Sequence, residues 1–209
     1  MASVEDRPLR ADAARNVERI LRAARDVYGE LGPDAPVEAV ARRAGVGERT
    51  LYRRFPTKAD LVAAALDQSI AEDLTPAIDR ARRADDPLRG LTQLVEAAIA
   101  LGAREHNLLT AARRAGSLSS DISASLNEAL GELTRKGQRA GRVRSDLVPD
   151  DLPRLIAMLF GVLSTMDAGS DGWRRYVALM IDAIAVNERL PLPPAAALRY
   201  EVDPNSWPL

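Results

Sequence analysis

The stretch PVEAVARRAGVGERTLYRRFPTK, residues 36–58, contains two short helical patterns separated by a glycine-containing turn. In the first pattern Val37, Val40 and Ala41 fall at positions i, i+3 and i+4, so they form one apolar stripe. Gly45 suits the left-handed conformation that commonly closes a helix, and the second pattern begins near Gly47. The stretch therefore predicts a helix-turn-helix with its motif at about 36–55.

The second helix of this motif has the side chains that a groove-reading helix needs. Leu51 and Phe55 lie four residues apart and share the buried face, so the Arg, Thr and Tyr residues between them face mainly outward. Arg can donate two hydrogen bonds to guanine, Thr can contact a base or a phosphate, and Tyr can reach a phosphate.

The local charge supports double-stranded DNA as the partner. Residues 40–58 carry six basic side chains against Glu48 alone, a net charge of +5, although the whole chain of 209 residues carries −1. Phosphate binding depends on local charge, so a near-neutral protein can still have a basic face. An ordinary solvated helix face explains any one of these Arg residues, but the turn and the aromatic residues beside them favour DNA.

The string AGVGERTLYRRFPTKADL at 44–61 joins A-G-V, T-L-Y and F-P-x-K, followed by Leu, at the spacing typical of one family. Residues 12–66 thus resemble the tetracycline-repressor (TetR) family of one-component transcriptional regulators. The resemblance implies an all-α fold, with an N-terminal three-helix helix-turn-helix DNA-binding domain and a C-terminal helical ligand-binding and dimerisation domain. It places Thr50 and Tyr52 at positions that usually contact DNA, and Lys58 at a helix start where a family Lys commonly meets phosphate.

Two positions depart from the family pattern. Gly47 stands where the family often has Ser, which removes a hydroxyl that could cap the helix. Glu48 and Arg49 occupy positions that commonly read bases; Glu48 either accepts a hydrogen bond from cytosine N4 or only stabilises the first helical turn. The candidate DNA contacts are Arg42, Arg43, Gly47, Glu48, Arg49, Thr50, Tyr52, Arg53 and Lys58.

Helical periodicity continues along most of the chain. We expect an arm at 1–11, either a disordered terminus or a contact to the minor groove, and a supporting helix at 17–31 within a DNA-binding domain at 12–66. A helical domain follows at 67–189, then a proline-rich, irregular tail at 190–209. Within these bounds the pattern predicts helices at 58–83, interrupted near Pro76, and at 87–103, 105–115, 120–140, 150–167 and 171–189, without a convincing strand.

The last two predicted helices carry more apolar surface than packing on one side requires. Two such helices from each subunit would close a four-helix interface about a two-fold axis, as the family resemblance implies; the alternative is that both belong to the internal core. We expect a homodimer because two reading helices can then meet two half-sites. The candidate interface residues are Leu155, Leu159, Val162, Leu163, Met166, Val177, Ile181 and Ile184.

A sensing pocket for an unknown small-molecule effector is expected among the middle helices, although apolar residues at helical spacing are the default interior. Its candidate lining is Leu94, Ile99, Leu108, Leu109, Leu130, Met158 and Phe160. The connection 140–152, AGRVRSDLVPDDL, is interpreted as structural, with Gly141 ending a helix and Asp150 or Asp151 capping the next.

The sequence does not favour an enzyme. It has no Cys and a single histidine, His106, so we expect no catalytic residues, no metal site and no cofactor. No signal peptide and no apolar run near 18 residues is present, so we expect a cytoplasmic protein with no membrane contact. The hypothesis is a transcriptional regulator, most simply a repressor released from a palindromic operator by a ligand; the alternative is a non-switching dimeric DNA-binding protein.

Overall fold

The computed structural model describes residues 6–117, 120–166 and 170–186, with side chains from residue 14 and, after the first gap, from residue 124. Within these ranges the chain is helical, and its only β pairing is an isolated antiparallel bridge between Val143 and Ala185. This confirms the all-α prediction. Residues 1–5 of the expected arm and the expected tail at 190–209 lie outside the described residues.

The helices follow the predicted order. They are α1 Asp6–Leu31, α2 Val37–Ala44, α3 Glu48–Arg54, α4 Lys58–Ser69, a π-helical turn Ile70–Leu74, α5 Thr75–Arg82, α6 Pro87–Arg104, α7 His106–Arg114, α8 Ser120–Arg139, α9 Asp151–Leu163 and α10 Trp173–Ile184.

Helix α1 begins earlier than the sequence suggested. It starts at Asp6, so residues 6–11, which we expected in the arm, belong to the helix. Pro8 is compatible with this start because the first helical turn has no intrahelical partners for its N–H groups.

The predicted helix at 58–83 contains a π-helical turn in place of a break at Pro76. The N–H of Thr75 bonds to the carbonyl of Ile70, five residues earlier, which is the wide π repeat. Pro76 has no N–H and falls in the first turn of α5, where the regular α-helical bonding is already interrupted. The chain therefore stays helical through Pro76 by widening one turn.

The chain divides into two compact units, and the first is discontinuous in sequence. Unit 1 comprises Met1–Gln68 and Glu105–Leu118, so α7 belongs with the helix-turn-helix. Helix α7 is fixed to α1 by a partly buried ion pair, in which Arg25 Nη2 lies 3.0 Å from Glu105 Oε1. The sequence boundary at 66/67 lies close to the first crossing but did not anticipate that α7 returns to this unit.

Unit 2, Ser69–Arg104 and Ser119–Leu209, has its own apolar core. Its described helices α5, α6, α8, α9 and α10 contribute Leu, Ile, Val and Ala side chains around α6, which contacts each of the others. Two glycines permit close packing. A Cβ on Gly102 would collide with the ring of Phe160, and one on Gly137 would collide with Val143.

The connection between α8 and α9 has the structural role that its sequence suggested. Gly141 adopts a left-handed φ of 65°, and Val143 and Leu147 are buried. Gln138 Nε2 donates to the carbonyls of Arg144 at 3.1 Å and Leu147 at 2.7 Å. Asp151, rather than Asp150, accepts from a loop N–H, that of Val148 at 3.0 Å. The loop is thus held by hydrogen bonds between its backbone groups and the side chains of Gln138 and Asp151.

Candidate nucleic-acid interface

The turn between α2 and α3 is closed by Gly45. Its φ of 64° is left-handed, and the next N–H, that of Val46, bonds to the carbonyl of Ala41 at 3.0 Å. Gly47 then precedes α3 with an extended backbone, and its carbonyl accepts from Thr50 N–H at 2.9 Å. The two helices are joined by the three residues Gly45 to Gly47, which matches the expected motif.

Apolar contacts hold α3 against the rest of unit 1. Leu51 is completely buried and Phe55, directly after the helix, is also buried, as predicted from their spacing. Burying a Leu or Phe side chain contributes about 1.5–3 kcal/mol, so these two residues anchor a helix of only seven residues. The anchored face leaves the opposite face of α3 free for a partner.

The exposed face of α3 is polar and cationic. Glu48, Arg49, Tyr52 and Arg53 are exposed, and Thr50 is half-buried. Within the part of the chain that the structure describes, Arg49 and Arg53 form no ion pair, and the same holds for Arg42 on α2. Arg54, outside our candidate contacts, is exposed and unpaired there too; its place at the end of α3 beside Arg53 was the signal for it.

Arg43 differs from its neighbour Arg42. Its guanidinium pairs with both carboxylate oxygens of Glu30, one at 3.0 Å, and lies 3.9 Å from Asp26. The hydrogen bond from Arg43 lowers the pKa of Glu30, and the same bond raises the pKa of Arg43. The donors of Arg43 are therefore occupied in joining α2 to α1, and a phosphate would have to compete with Glu30 for them.

Lys58 lies at the first residue of α4, where a reciprocal cap orders the backbone. Thr57 N–H and Oγ1 both donate to Asp60 Oδ2, at 3.0 and 2.8 Å, and Asp60 N–H donates back to Thr57 Oγ1 at 3.1 Å. The ammonium of Lys58 lies 5.5 Å from the centre of the Tyr28 ring, within cation–π distance. Lys58 is exposed, so its charge faces solvent from a fixed helix start.

The Tyr28 ring beneath Lys58 is completely buried. Its hydroxyl has no hydrogen-bond partner among the described residues. Burial, with a smaller contribution from Asp34, raises the pKa of Tyr28 to about 12. Tyr28 is therefore neutral at physiological pH and serves as an apolar platform.

Of the seven residues expected to line a ligand pocket, the structure places five in unit 2 and two in unit 1. Leu94, Ile99 and Leu130 are completely buried in the core of unit 2, and Phe160 packs beside Gly102. Met158 is 67% exposed on α9. Leu108 and Leu109 belong to unit 1, where Leu108 is buried.

The eight residues expected at a dimer interface divide into two groups. Leu159, Val177 and Ile184 are buried within the core of this chain, whereas Leu155, Val162, Leu163, Met166 and Ile181 are partly buried. The large apolar residues that α9 and α10 do expose are Met158, Tyr176 at 40% and Leu179 at 55%. Met158 lies three residues after Leu155 and four before Val162, so it shares a face of α9 with these two predicted residues.

Among the described residues no group of three or more His, Asp or Glu side chains is placed to hold a metal ion, and His106 is exposed at the start of α7. No helix in the same ranges is both long and apolar enough to cross a membrane.

An anchored, exposed cationic helix presented by a glycine-closed turn defines a helix-turn-helix transcription regulator. Residues 20–65 match the family of bacterial regulatory proteins called tetR, and residues 86–186 match the C-terminal domain of SbtR-like transcriptional regulators. A TetR transcription regulatory protein from Mycobacterium vanbaalenii is 30% identical, with 86% of this chain and 100% of that chain covered, at a TM-score of 0.61. The chain belongs to the TetR family.

Other solved structures share the fold. A TetR transcriptional regulator from Streptomyces coelicolor is 29% identical, covering 81% of this chain and 98% of that one at a TM-score of 0.61. The regulator FadR from Bacillus subtilis, solved with stearoyl-CoA, is 17% identical over 79% of this chain and 95% of its own, at a TM-score of 0.63, and shows the fold alone. No match was found among curated protein sequences. Regulators of this family bind DNA operators.

Proposed function

We propose that this chain is a homodimeric repressor that binds a palindromic operator through α3 and is released by a small-molecule effector. The observation that carries the proposal is the exposed, unpaired cationic face of α3, fixed from behind by Leu51 and Phe55. Such a face costs little to bring to DNA because its Arg side chains form no ion pair among the described residues that would have to break.

The side chains divide into base-reading and phosphate-binding roles. Arg49 and Thr50, in the first turn of α3, read base edges in the major groove, with Glu48 accepting from a cytosine N4 amino group. Arg42, Arg53, Tyr52 and Lys58 bind phosphates, and Gly47 allows the backbone to approach one closely. Arg43 has a smaller part than sequence suggested, because Glu30 holds its donors.

The proposed dimer uses the apolar surface of α9 and α10. Met158, Tyr176 and Leu179 lie at its exposed centre, with partly buried Leu155 and Ile181 at its base. Exposed apolar surface of this kind marks an interaction site, and a two-fold axis through a pair of helices from each subunit would close a four-helix interface. Two α3 helices could then contact half-sites one turn, about 34–36 Å, apart.

Release by an effector requires that the ligand bind the DNA-free state more tightly than the DNA-bound state. The second candidate function, a regulator that does not switch, is favoured by one observation: Leu94, Ile99 and Leu130, expected around a pocket, are completely buried in the core of unit 2. Operator binding that is unchanged across a broad library of small molecules would support that second candidate.

Selection of the purified full chain on random duplex DNA tests the DNA-reading proposal, with the enriched sequence titrated at two salt concentrations. We expect the selection to enrich a palindrome. In Arg49→Ala, the preference for one base pair in each half-site should fall by about 1–3 kcal/mol. Arg139→Ala, an exposed Arg on α8, is the matched control and should change nothing. Equal loss of specific and non-specific binding in Arg49→Ala would overturn the base-reading role.

A further inference from the structure

A groove of about 340 Å³ lies on the surface of unit 2 between α5, α6 and α10. It is lined by Ala77 and Arg80 of α5, Gln93, Glu96, Ala97 and Ala100 of α6, and Arg174 of α10. Its volume is at the lower end of the range of small-molecule sites. None of these residues was among those expected to line a pocket, so the groove is a site distinct from the one that the sequence suggested.

Arg174 is held in an orientation suited to an anion. Its guanidinium lies 4.5 Å from the ring of Trp173, and Trp173 is buried in the core of unit 2. Stacking on a ring occupies the face of the guanidinium and leaves its N–H edge available. The neighbouring carboxylates of Glu96 and Asp171 lie at 3.8 and 3.7 Å, beyond hydrogen-bond distance. Among the described residues, Arg174 thus stacks on Trp173 and forms two loose ion pairs without a side-chain hydrogen bond, so an anion could take up its donors.

The other lining residues indicate what kind of ligand the groove would accept. The side chain of Arg80 forms no hydrogen bond or ion pair with any residue that the structure describes, so it provides a second set of free donors. Ala77, Ala97 and Ala100 present methyl groups, and Gln93 presents an amide. The charged lining residues Arg80, Arg174 and Glu96 sum to +1, which a single carboxylate neutralises and a phosphate dianion would exceed.

We propose that this groove binds a small organic carboxylate, with the carboxylate on Arg174 and Arg80 and an apolar body over the three alanines. Arg174 donates two parallel hydrogen bonds to the carboxylate, and Glu96 turns away as the anion takes its place. The ligand would connect α5, α6 and α10, so it would stabilise one arrangement of these three helices. That the ligand acts as the effector rests on the proposed repressor function; its binding to the groove does not.

The test uses octanoate as the probe and octan-1-ol as its neutral counterpart, titrated by calorimetry into the purified full chain. We expect saturable binding of one octanoate per chain, at least tenfold tighter than octan-1-ol. Arg174→Gln and Arg80→Gln should each weaken octanoate binding at least tenfold, whereas Arg139→Gln on α8 should leave it unchanged. Glu96→Gln should tighten it about threefold because the competing carboxylate is gone.

Three results would overturn the site: no saturable octanoate binding up to about 10 mM, equal affinity for octanoate and octan-1-ol, or unchanged binding in Arg174→Gln. Circular dichroism of each variant separates loss of the site from loss of the fold. Operator affinity measured without and with octanoate then distinguishes the two proposals. If octanoate binds the groove but leaves operator affinity unchanged, the effector role is refuted and the binding site stands. If the protein binds no operator, the repressor function is refuted and the binding site again stands.

Discussion

Replacing Tyr28 by Phe should stabilise the protein at neutral pH. The ring of Tyr28 is completely buried, and its hydroxyl has no hydrogen-bond partner among the described residues. A buried polar group without a partner costs about 1–3 kcal/mol of desolvation, whereas the ring is retained in Phe. We therefore expect the free energy of unfolding to rise by about 1 kcal/mol, and Lys58 to keep its aromatic platform.

The same substitution should flatten the pH dependence at high pH. The pKa of Tyr28 is raised from 10.0 to about 12 by burial, so the unfolded chain releases this proton before the folded chain does. Proton release from Tyr28 therefore does not affect stability below about pH 10, and it destabilises the wild-type fold progressively as the pH rises from 10 towards 12. Between pH 9 and pH 11 the wild-type chain should lose about 1 kcal/mol more than Tyr28→Phe.

Urea unfolding followed by circular dichroism at pH 7, 9 and 11, at one fixed protein concentration, measures both effects. Tyr52→Phe, which removes an exposed hydroxyl, is the matched control and should stay within about 0.5 kcal/mol of wild type. Destabilisation of Tyr28→Phe by 1 kcal/mol or so at pH 7 would mean that the hydroxyl has a partner. Parallel pH curves for Tyr28→Phe and wild type would refute the raised pKa.

Three other predictions concern DNA binding, assembly and the core of unit 1. Lys58→Ala should weaken binding to all DNA sequences alike and reduce the slope of log K against log salt by about 0.9 per half-site, as measured by fluorescence anisotropy. Arg43→Ala should have a smaller effect, because the guanidinium of Arg43 is already bonded to Glu30. Met158→Asp should dissociate the proposed dimer in analytical ultracentrifugation without changing the helix content; a dimer that persists would place the interface elsewhere. Arg25→Met should lower the free energy of unfolding by about 3 kcal/mol, because the ion pair to the buried carboxylate of Glu105 is lost; a loss under 1 kcal/mol in urea unfolding would contradict this.

The helix-turn-helix was predictable because its signals are local. Gly45, Leu51 and Phe55 specify a left-handed turn and a buried face within eleven residues, and the structure has both. The pairing of Arg43 with Glu30 was not predictable in the same way. The two residues lie on different helices, and only the packing of α2 on α1 brings the charges together.

The residues of the pocket and of the interface could not be assigned from helical periodicity, because their positions depend on tertiary packing, which periodicity does not specify. Leu108 and Leu94 have equivalent patterns in sequence, but they lie in the cores of different units. Helices α9 and α10 are apolar on more than one face, so the pattern could not decide whether Leu159 or Met158 points to the core. The groove at Arg174 was missed because its lining is mixed and polar, and each of its residues alone resembles a solvated surface.

Because α7 belongs to unit 1, this unit cannot be isolated by truncating the chain at a single position. A fragment that ends at Gln68 retains the reading helix but loses the segment from Glu105 to Leu118, so the face of α1 that α7 covers would open to water and Arg25 would lose its buried carboxylate. Residues 1–68 alone do not make up the complete unit, so neither truncation after Gln68 nor fusion of this segment to another protein would preserve it. During synthesis it becomes complete only after α6, the central helix of the other unit, has already been made.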